Sequence, residues 1–311
     1  MGMSDLWLDY HPAVNAIRWV IFVIATSGNV FIVFLILKNK KMRCERFNLL
    51  IILLAVGDVV LGCGAAVRAC QSYITRIGGF TRINCIALGA VTIYGDHIAQ
   101  IAMLIIAVDR FDGIFRMYKC HADTIYRIYV AIIPMVLSIS LVPTGLIFIG
   151  VRNNIVRVCP MSVLWHPRFG DYMFGSMLFF NLGILVLYAS IFILYKRYVS
   201  RTIGSYVSGP RNNFQPIVYG VVTVCFLFWC IPKWIMYGLK IFNCYDDNTN
   251  NAAFLIELSE GVSACLNILV YGYAHRELRN TMKAFLRKTP FRRLFATNSS
   301  SVRSGHAQPN S

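Results

Sequence analysis

Trp19-Val20-Ile21-Phe22-Val23-Ile24-Ala25-Thr26-Ser27-Gly28-Asn29-Val30-Phe31-Ile32-Val33-Phe34-Leu35-Ile36-Leu37 runs between Arg18 and Lys38 without one charged side chain. The run holds 19 residues, and a helix needs roughly 20 to cross the hydrocarbon of a bilayer. Two runs of the same kind, 24 residues each, lie between Arg127 and Arg152 and between Asp171 and Lys196. A long helix in a water-soluble protein keeps a polar face, and these three have none. The whole chain agrees: 57% of its 311 residues are hydrophobic and 14% charged, against about 45–50% and about 25% in soluble domains.

Four further apolar blocks carry one or two charges each: Phe47–Val67 with Asp58, Ile83–Val108 with Asp96, Asn212–Leu239 with Lys233, and Ala252–Ala274 with Glu257 and Glu260. The set makes seven spans. Helices follow rather than barrel strands, because barrel strands alternate and are about ten residues long. The expected architecture is an all-α membrane protein, a bundle of seven transmembrane helices over residues 1–290, with a polar, disordered tail at 291–311. The first span lacks a small-residue cleavage site and reads as an uncleaved anchor. The segment before it is short, so a ligand is expected to reach the loops or the bundle itself.

Basic residues set the orientation. One side of the membrane collects 21 of the 30 lysines and arginines, among them Lys38, Lys40, Lys41, Arg43, Arg46, Arg110 and eight in the tail from Arg276 to Arg303. Positive-inside bias puts the amino terminus outside and the tail in the cytoplasm. The net charge of +16 then reflects topology and anionic inner-leaflet lipid, not a nucleic acid. After the last span, His275–Lys288 reads as an eighth helix on the membrane surface: Leu278, Met282 and Phe285 share one face, while Arg276, Arg279, Lys283 and Arg287 take the other.

Charged residues at bilayer depth cost at least about 2.5–3.5 kcal/mol each on insertion scales and so face the bundle interior. Asp58, Asp96, Lys233, Glu257 and Glu260 are therefore candidate functional groups. A lysine and an acid on neighbouring spans lower each other's burial cost by pairing, and Lys233 with Glu257 is the expected pair, a ligand carboxylate on Lys233 being the alternative. Pro134 and Pro143 in the fourth span and Pro232 in the sixth each remove an internal hydrogen bond and bend the helix. Of the ten cysteines, Cys85 and Cys159 fall on the oxidising side, where a bridge persists. Cys70 and Cys244 are near the same face, and spacing alone does not settle the pairing.

Several short motifs fall in order at matching depths: Gly28-Asn29, Leu54-Ala55-Val56-Gly57-Asp58, Cys85 leading to Asp109-Arg110-Phe111, and Asn267-Ile268-Leu269-Val270-Tyr271. Together they resemble rhodopsin-like G-protein-coupled receptors. Cys85 and Arg110 lie 25 residues apart, about 37 Å of helix, or one membrane with its interfaces. Within that class the chain is similar to the nematode serpentine chemoreceptors, class SX, over roughly residues 20–290. The Leu-Ala-x-x-Asp stretch, the basic loop Lys38-Asn39-Lys40-Lys41-Met42-Arg43 and Val108-Asp109-Arg110-Phe111 carry that likeness.

The resemblance implies a disulfide between Cys85 and Cys159, and G-protein coupling through Asp109, Arg110, Phe111, Asn267 and Tyr271. It also implies a central polar cluster of Asn29, Asp58 and Asn267 with sodium at Asp58, whose bland alternative is a polar knot holding three helices in register. The ligand pocket it implies is lined by Thr92, Asp96, Lys233, Tyr237 and Glu257, and the activation hinge is Trp229 with Pro232. Thr92 stands where amine receptors carry an aspartate, which disfavours a biogenic amine. The seventh span has no lysine, which excludes a retinal Schiff base there. Arg68, Arg76, Arg82, Arg152, Arg157 and Arg168 read as outer-loop charges that attract anionic ligands or are simply solvated.

Three departures stand out. Ile268 replaces a proline, Trp229-Cys230-Ile231-Pro232 stands where the wider family has Cys-Trp-x-Pro, and Asn212-Asn213 replaces an acid that would pair with Arg110. Catalysis is not expected, since the sequence has no nucleophile elbow, phosphate loop or HExxH motif. No cofactor is expected either. Expected partners are a heterotrimeric G protein, an extracellular small-molecule or peptide ligand, and membrane lipid. The expected location is the plasma membrane, including a sensory cilium. The rival readings are a neuropeptide receptor and, from another class, a seven-span ligand-gated channel. A channel would need a polar stripe along a pore, which isolated acids do not make, and a transporter would show repeated halves.

Overall fold

The computed structural model describes residues 11–74, 80–115, 122–156, 166–202, 220, 222–242 and 247–288. The first uncharged run becomes α1 (Pro12–Lys38). Pro12 occupies the first turn, where no amide is needed, and His11 Nδ1 accepts from the Ala13 amide at 3.2 Å. A single turn, α2 (Lys40–Arg43), makes the first inner loop. The second to fifth spans follow as α3 (Arg46–Ile74), α4 (Arg82–Phe115), α5 (Ala122–Leu146) and α6 (Pro167–Thr202).

The sixth span covers Val222–Leu239 and is not uniform. Phe226–Cys230 forms a wide π-turn, in which the Ile231 amide donates to Phe226 O, and α7 (Ile231–Ile241) continues from it. Pro232 explains the widening: its ring has no N–H and would clash with the carbonyl four residues back, so the turn before it opens. The seventh span, α8 (Asp247–Ala274), runs through Ile268 as one helix. Without the proline, nothing there interrupts the ladder. α9 (Arg276–Lys288) is the expected surface helix, with Leu278 buried and Arg276, Lys283 and Arg287 exposed.

Among the described residues, six helices are long and apolar enough to cross a membrane, and Val130–Leu146 within α5 is a shorter apolar one. Together they form the seven-helix bundle. α4 is its central post and packs against α3, α5 and α6. Small residues set the closest approach. A Cβ on Gly57 would come within 2.9 Å of the Ala99 amide nitrogen, and one on Gly95 within 2.8 Å of that of Leu61, so α3 and α4 touch backbone to backbone. Across the bundle, Ile268 fills the notch of Gly28, which makes the substituted position a packing residue between α8 and α1. Large apolar side chains such as Val20, Val23, Phe179, Leu182 and Leu269 remain exposed. That pattern suits lipid contact and not water.

The bundle is all-α as expected, with one small ribbon beside it: β1 (Phe80–Thr81) pairs antiparallel with β2 (Ile155–Val156). This small ribbon lays the loop after α5 beside the start of α4, helped by an Arg82 amide bond to Asn154 O at 2.8 Å. In addition, Arg18 is not the water-side boundary of the first span. It lies a turn and a half inside α1 and is only 1% exposed.

Candidate functional site

Three polar clusters occupy the bundle, stacked from the Cys85 end to the Arg110 end. At the outer level, Glu257 Oε2 of α8 accepts from Arg68 Nη2 of α3 at 2.9 Å and from Arg18 Nη2 of α1 at 3.3 Å. Arg18 also donates to Asn15 Oδ1 at 3.3 Å. Arg68 is therefore not a solvated loop charge, because α3 extends beyond Val67 and carries it into the helix–helix seam.

Deeper, Lys233 of α7 meets two acids. Its Nζ lies 3.3 Å from Asp96 Oδ1 of α4 and 2.8 Å from Glu260 Oε1 of α8. Gln100, one turn below Asp96, donates to Asp96 Oδ2 at 2.6 Å. The Lys233 ammonium also sits 4.2 Å from the centre of the Trp229 ring. All three charged residues are at most 5% exposed. The expected pairing of Lys233 with Glu257 is thus corrected: Glu260, one turn deeper on α8, takes the lysine, and Glu257 serves the two arginines. Glu257 and Glu260 lie one turn apart on α8, and how α8 sits against α7 decides which of them meets the lysine. Arg18 was missed because it stands at the edge of an uncharged run, where a boundary charge normally reaches for water.

The other expected pocket residues surround this level. Thr92 is half-buried, and its hydroxyl oxygen would lie 2.5 Å from a Cβ on Gly64. Tyr237, one turn outward from Lys233, is half-buried as well. Trp229 is 1% exposed within the wide turn, so its displacement by one position has not turned it out of the core.

The central cluster is partly assembled. Asn267 Nδ2 donates to Asp58 Oδ2 at 3.0 Å. Asn29 instead donates to Ala25 O at 2.9 Å and, across the bundle, to Ala264 O at 3.2 Å. Asp58 Oδ1 is buried with no hydrogen-bond donor among the described residues. No group of three or more His, Cys, Asp or Glu side chains with metal-site geometry occurs among the described residues.

At the inner end of α4, Arg110 Nε lies 3.6 Å from Asp109 Oδ2. Its guanidinium carbon is 3.3 Å from the centre of the Phe47 ring of α3. Phe47 in turn stacks on His275 at 5.7 Å between centroids. Tyr271 is buried nearby in the same core, and Phe111 packs against that core. Asn212-Asn213, which stands in place of an acid in the sixth span, lies outside the described residues. Cys85 is disulfide-bonded; its expected partner Cys159 lies outside the described residues, and Cys70, the other described candidate, is a free thiol.

A family model, the serpentine type 7TM GPCR chemoreceptor Srsx, matches residues 22–286. The chain belongs to this family. It is a chemosensory G-protein-coupled receptor, with a multi-pass membrane fold and, as for any such receptor, a ligand and a G protein as partners. No curated protein matches the receptor significantly. The family is one of receptors.

Proposed function

We propose that the receptor binds a small extracellular ligand in the outer half of the bundle, between Thr92, Tyr237 and Glu257, above the Asp96–Lys233–Glu260 triad. The observation that carries this reading is the triad itself. It ties the third, sixth and seventh spans together through one lysine that stands next to Pro232. A ligand that displaces Asp96 or Glu260 from Lys233 changes the restraint on the helix that carries the π-turn. Trp229 and Pro232 then act as the hinge through which the inner end of the sixth span moves. A ligand can shift this equilibrium only by its differential affinity for the two states.

Arg110 with Asp109 and Phe111, and Asn267 with Tyr271, form the inner machinery that a heterotrimeric G protein reads. Asp58 Oδ1 offers a buried anionic ligand for sodium, with Asn29 and Asn267 fixing the surrounding helices. Cys85 with Cys159 holds the outer loop over the pocket. The protein works at the plasma membrane, in a sensory cilium.

The test is expression with a panel of G-protein dissociation sensors, challenged with volatile, acidic and peptide pools while conductance is recorded. A ligand-dependent sensor response that Arg110→Ala removes supports the reading. A ligand-gated current that persists in Arg110→Ala, with silent sensors at confirmed surface expression, overturns it in favour of a channel.

A further inference from the structure

The sequence between Asp171 and Asp246 contains no aspartate or glutamate. Apart from Asp171 in the first turns of α6, at the opposite end of the bundle, the fifth span, the sixth span and the loop between them therefore hold no acid for Arg110. Yet the Arg110 side chain is only 19% exposed, so something other than a carboxylate of those helices keeps it from the cytoplasm. The structure shows what covers it. Phe47, in the first turn of α3, presents its ring 3.3 Å from the guanidinium carbon. That is face contact between a delocalised cation and an aromatic ring, which is worth roughly 0.5–2 kcal/mol depending on desolvation. Asp109 Oδ2 lies 3.6 Å from Nε on the same helix.

The ring is itself held in place. It stacks on His275 with 18° between planes. His275 caps α9 by accepting the Leu278 amide on Nδ1 at 3.2 Å. The first inner loop closes the same corner: Asn48 donates to Met42 O at 2.9 Å, and Lys41 bonds Glu277 of α9 at 2.7 Å. Phe47 is thus fixed from the α9 side while it faces α4, and its position couples the eighth helix to the Arg110 restraint.

We infer that the Phe47 ring is the positioning residue that holds Arg110 withdrawn in the resting receptor, in the place of an acid on the sixth span. The inference rests on the G-protein reading of Arg110. Activation then means that Arg110 leaves the ring, and a contact of this strength is one that a modest differential ligand affinity can outweigh.

The experiment measures ligand-independent signal per surface receptor with the sensor panel in Phe47→Leu, Phe47→Met and Phe47→Tyr. Leucine and methionine keep bulk but remove the π face, whereas tyrosine keeps it. The expected result is a rise of about 2- to 30-fold in the ring-less variants, abolished when Arg110→Ala is added, with Phe47→Tyr at wild-type level. Ring-less variants at or below wild-type signal, at matched surface expression, overturn the inference. A second readout does not depend on coupling. Cys44, an exposed free thiol three residues before Phe47, takes a trifluoromethyl tag for fluorine NMR of purified receptor, assigned by its loss in Cys44→Ser. A population shift in Phe47→Leu that Phe47→Tyr lacks supports the restraint, even with silent sensors, which would count against G-protein coupling alone. Coincident spectra of wild type and Phe47→Leu overturn it.

Discussion

Lys233 and Arg110 are both cations drawn inside the helical bundle over an aromatic ring, and they are held there by different means. Lys233 lies 4.2 Å from the Trp229 ring and has two carboxylates within 3.3 Å. Arg110 lies 3.3 Å from the Phe47 ring and has its own neighbour Asp109 at 3.6 Å. The lysine lies near the middle of the Val222–Leu239 span, where an unneutralised ammonium is costly, and acids from two other helices converge on it. The arginine is at the cytoplasmic edge, where its charge can reach water at little cost. In the proposed function one cation is a tie that the ligand loosens and the other is a latch. The difference follows from depth.

The comparison predicts a graded series of outcomes. The largest effect belongs to Lys233→Met, which strands Asp96 and Glu260 without their cation. Breaking one partner out of a buried ion cluster costs about 3–5 kcal/mol, so surface expression should collapse. Adding Asp96→Asn and Glu260→Gln should restore it; a triple variant as poorly expressed as the single one would show that the triad is not the reason. Next, Glu257→Gln leaves Arg18 and Arg68 without the carboxylate they share. A loss of about 1–3 kcal/mol in thermal stability is expected, and a Tm equal to wild type would remove Glu257 from the structural account.

Arg110→Ala should behave in the opposite way to Lys233→Met: surface level within a few-fold of wild type, since the ring contact it removes is worth about 0.5–2 kcal/mol, but no signal. Poor expression of Arg110→Ala would erase the distinction between tie and latch. The smallest effect concerns His275, whose burial and proximity to Arg110 hold its pKa below the usual histidine value. A histidine depressed in the folded state is more readily protonated when unfolded, so stability should fall as pH drops below about 6.5. Glu45, pushed up by burial and by Glu277, works the other way over the acidic range. Replacement by a non-titrating cap separates the two: His275→Asn should flatten the loss of Tm between pH 7.5 and 5.5, and an unchanged slope would place the titration elsewhere.

Much of this was legible from residues alone, and the reason differs from element to element. The spans are legible because desolvating a charge in hydrocarbon is so costly that uncharged runs mark them directly. The amphipathic α9 is legible because a 3.6-residue period needs no tertiary information. The motif residues Asp58 and Asn267 meet as expected, while Asn29 turns to the Ala264 carbonyl instead of the carboxylate. The pairing of Lys233 was not legible. Glu257 and Glu260 differ by one turn, and choosing between them requires the rotation and vertical offset of α8 against α7, which single-chain spacing does not contain. Arg18 and Arg68 failed for a related reason, because each lies near a span end where snorkelling is the ordinary outcome.

By itself, then, the sequence determined that the chain threads a membrane seven times, which side is basic, and that the sixth and seventh spans lack the usual partners of Arg110 and the usual proline. Only the tertiary structure decided which opposite charges meet, that Pro232 is accommodated by a π-turn, and that Arg110 rests on Phe47. Hydrophobic partition acts on each segment separately and so is written along the chain. Pairing of buried charges and rings depends on distances of a few ångströms between helices far apart in sequence, and packing of glycines such as Gly57 and Gly95 fixes those distances.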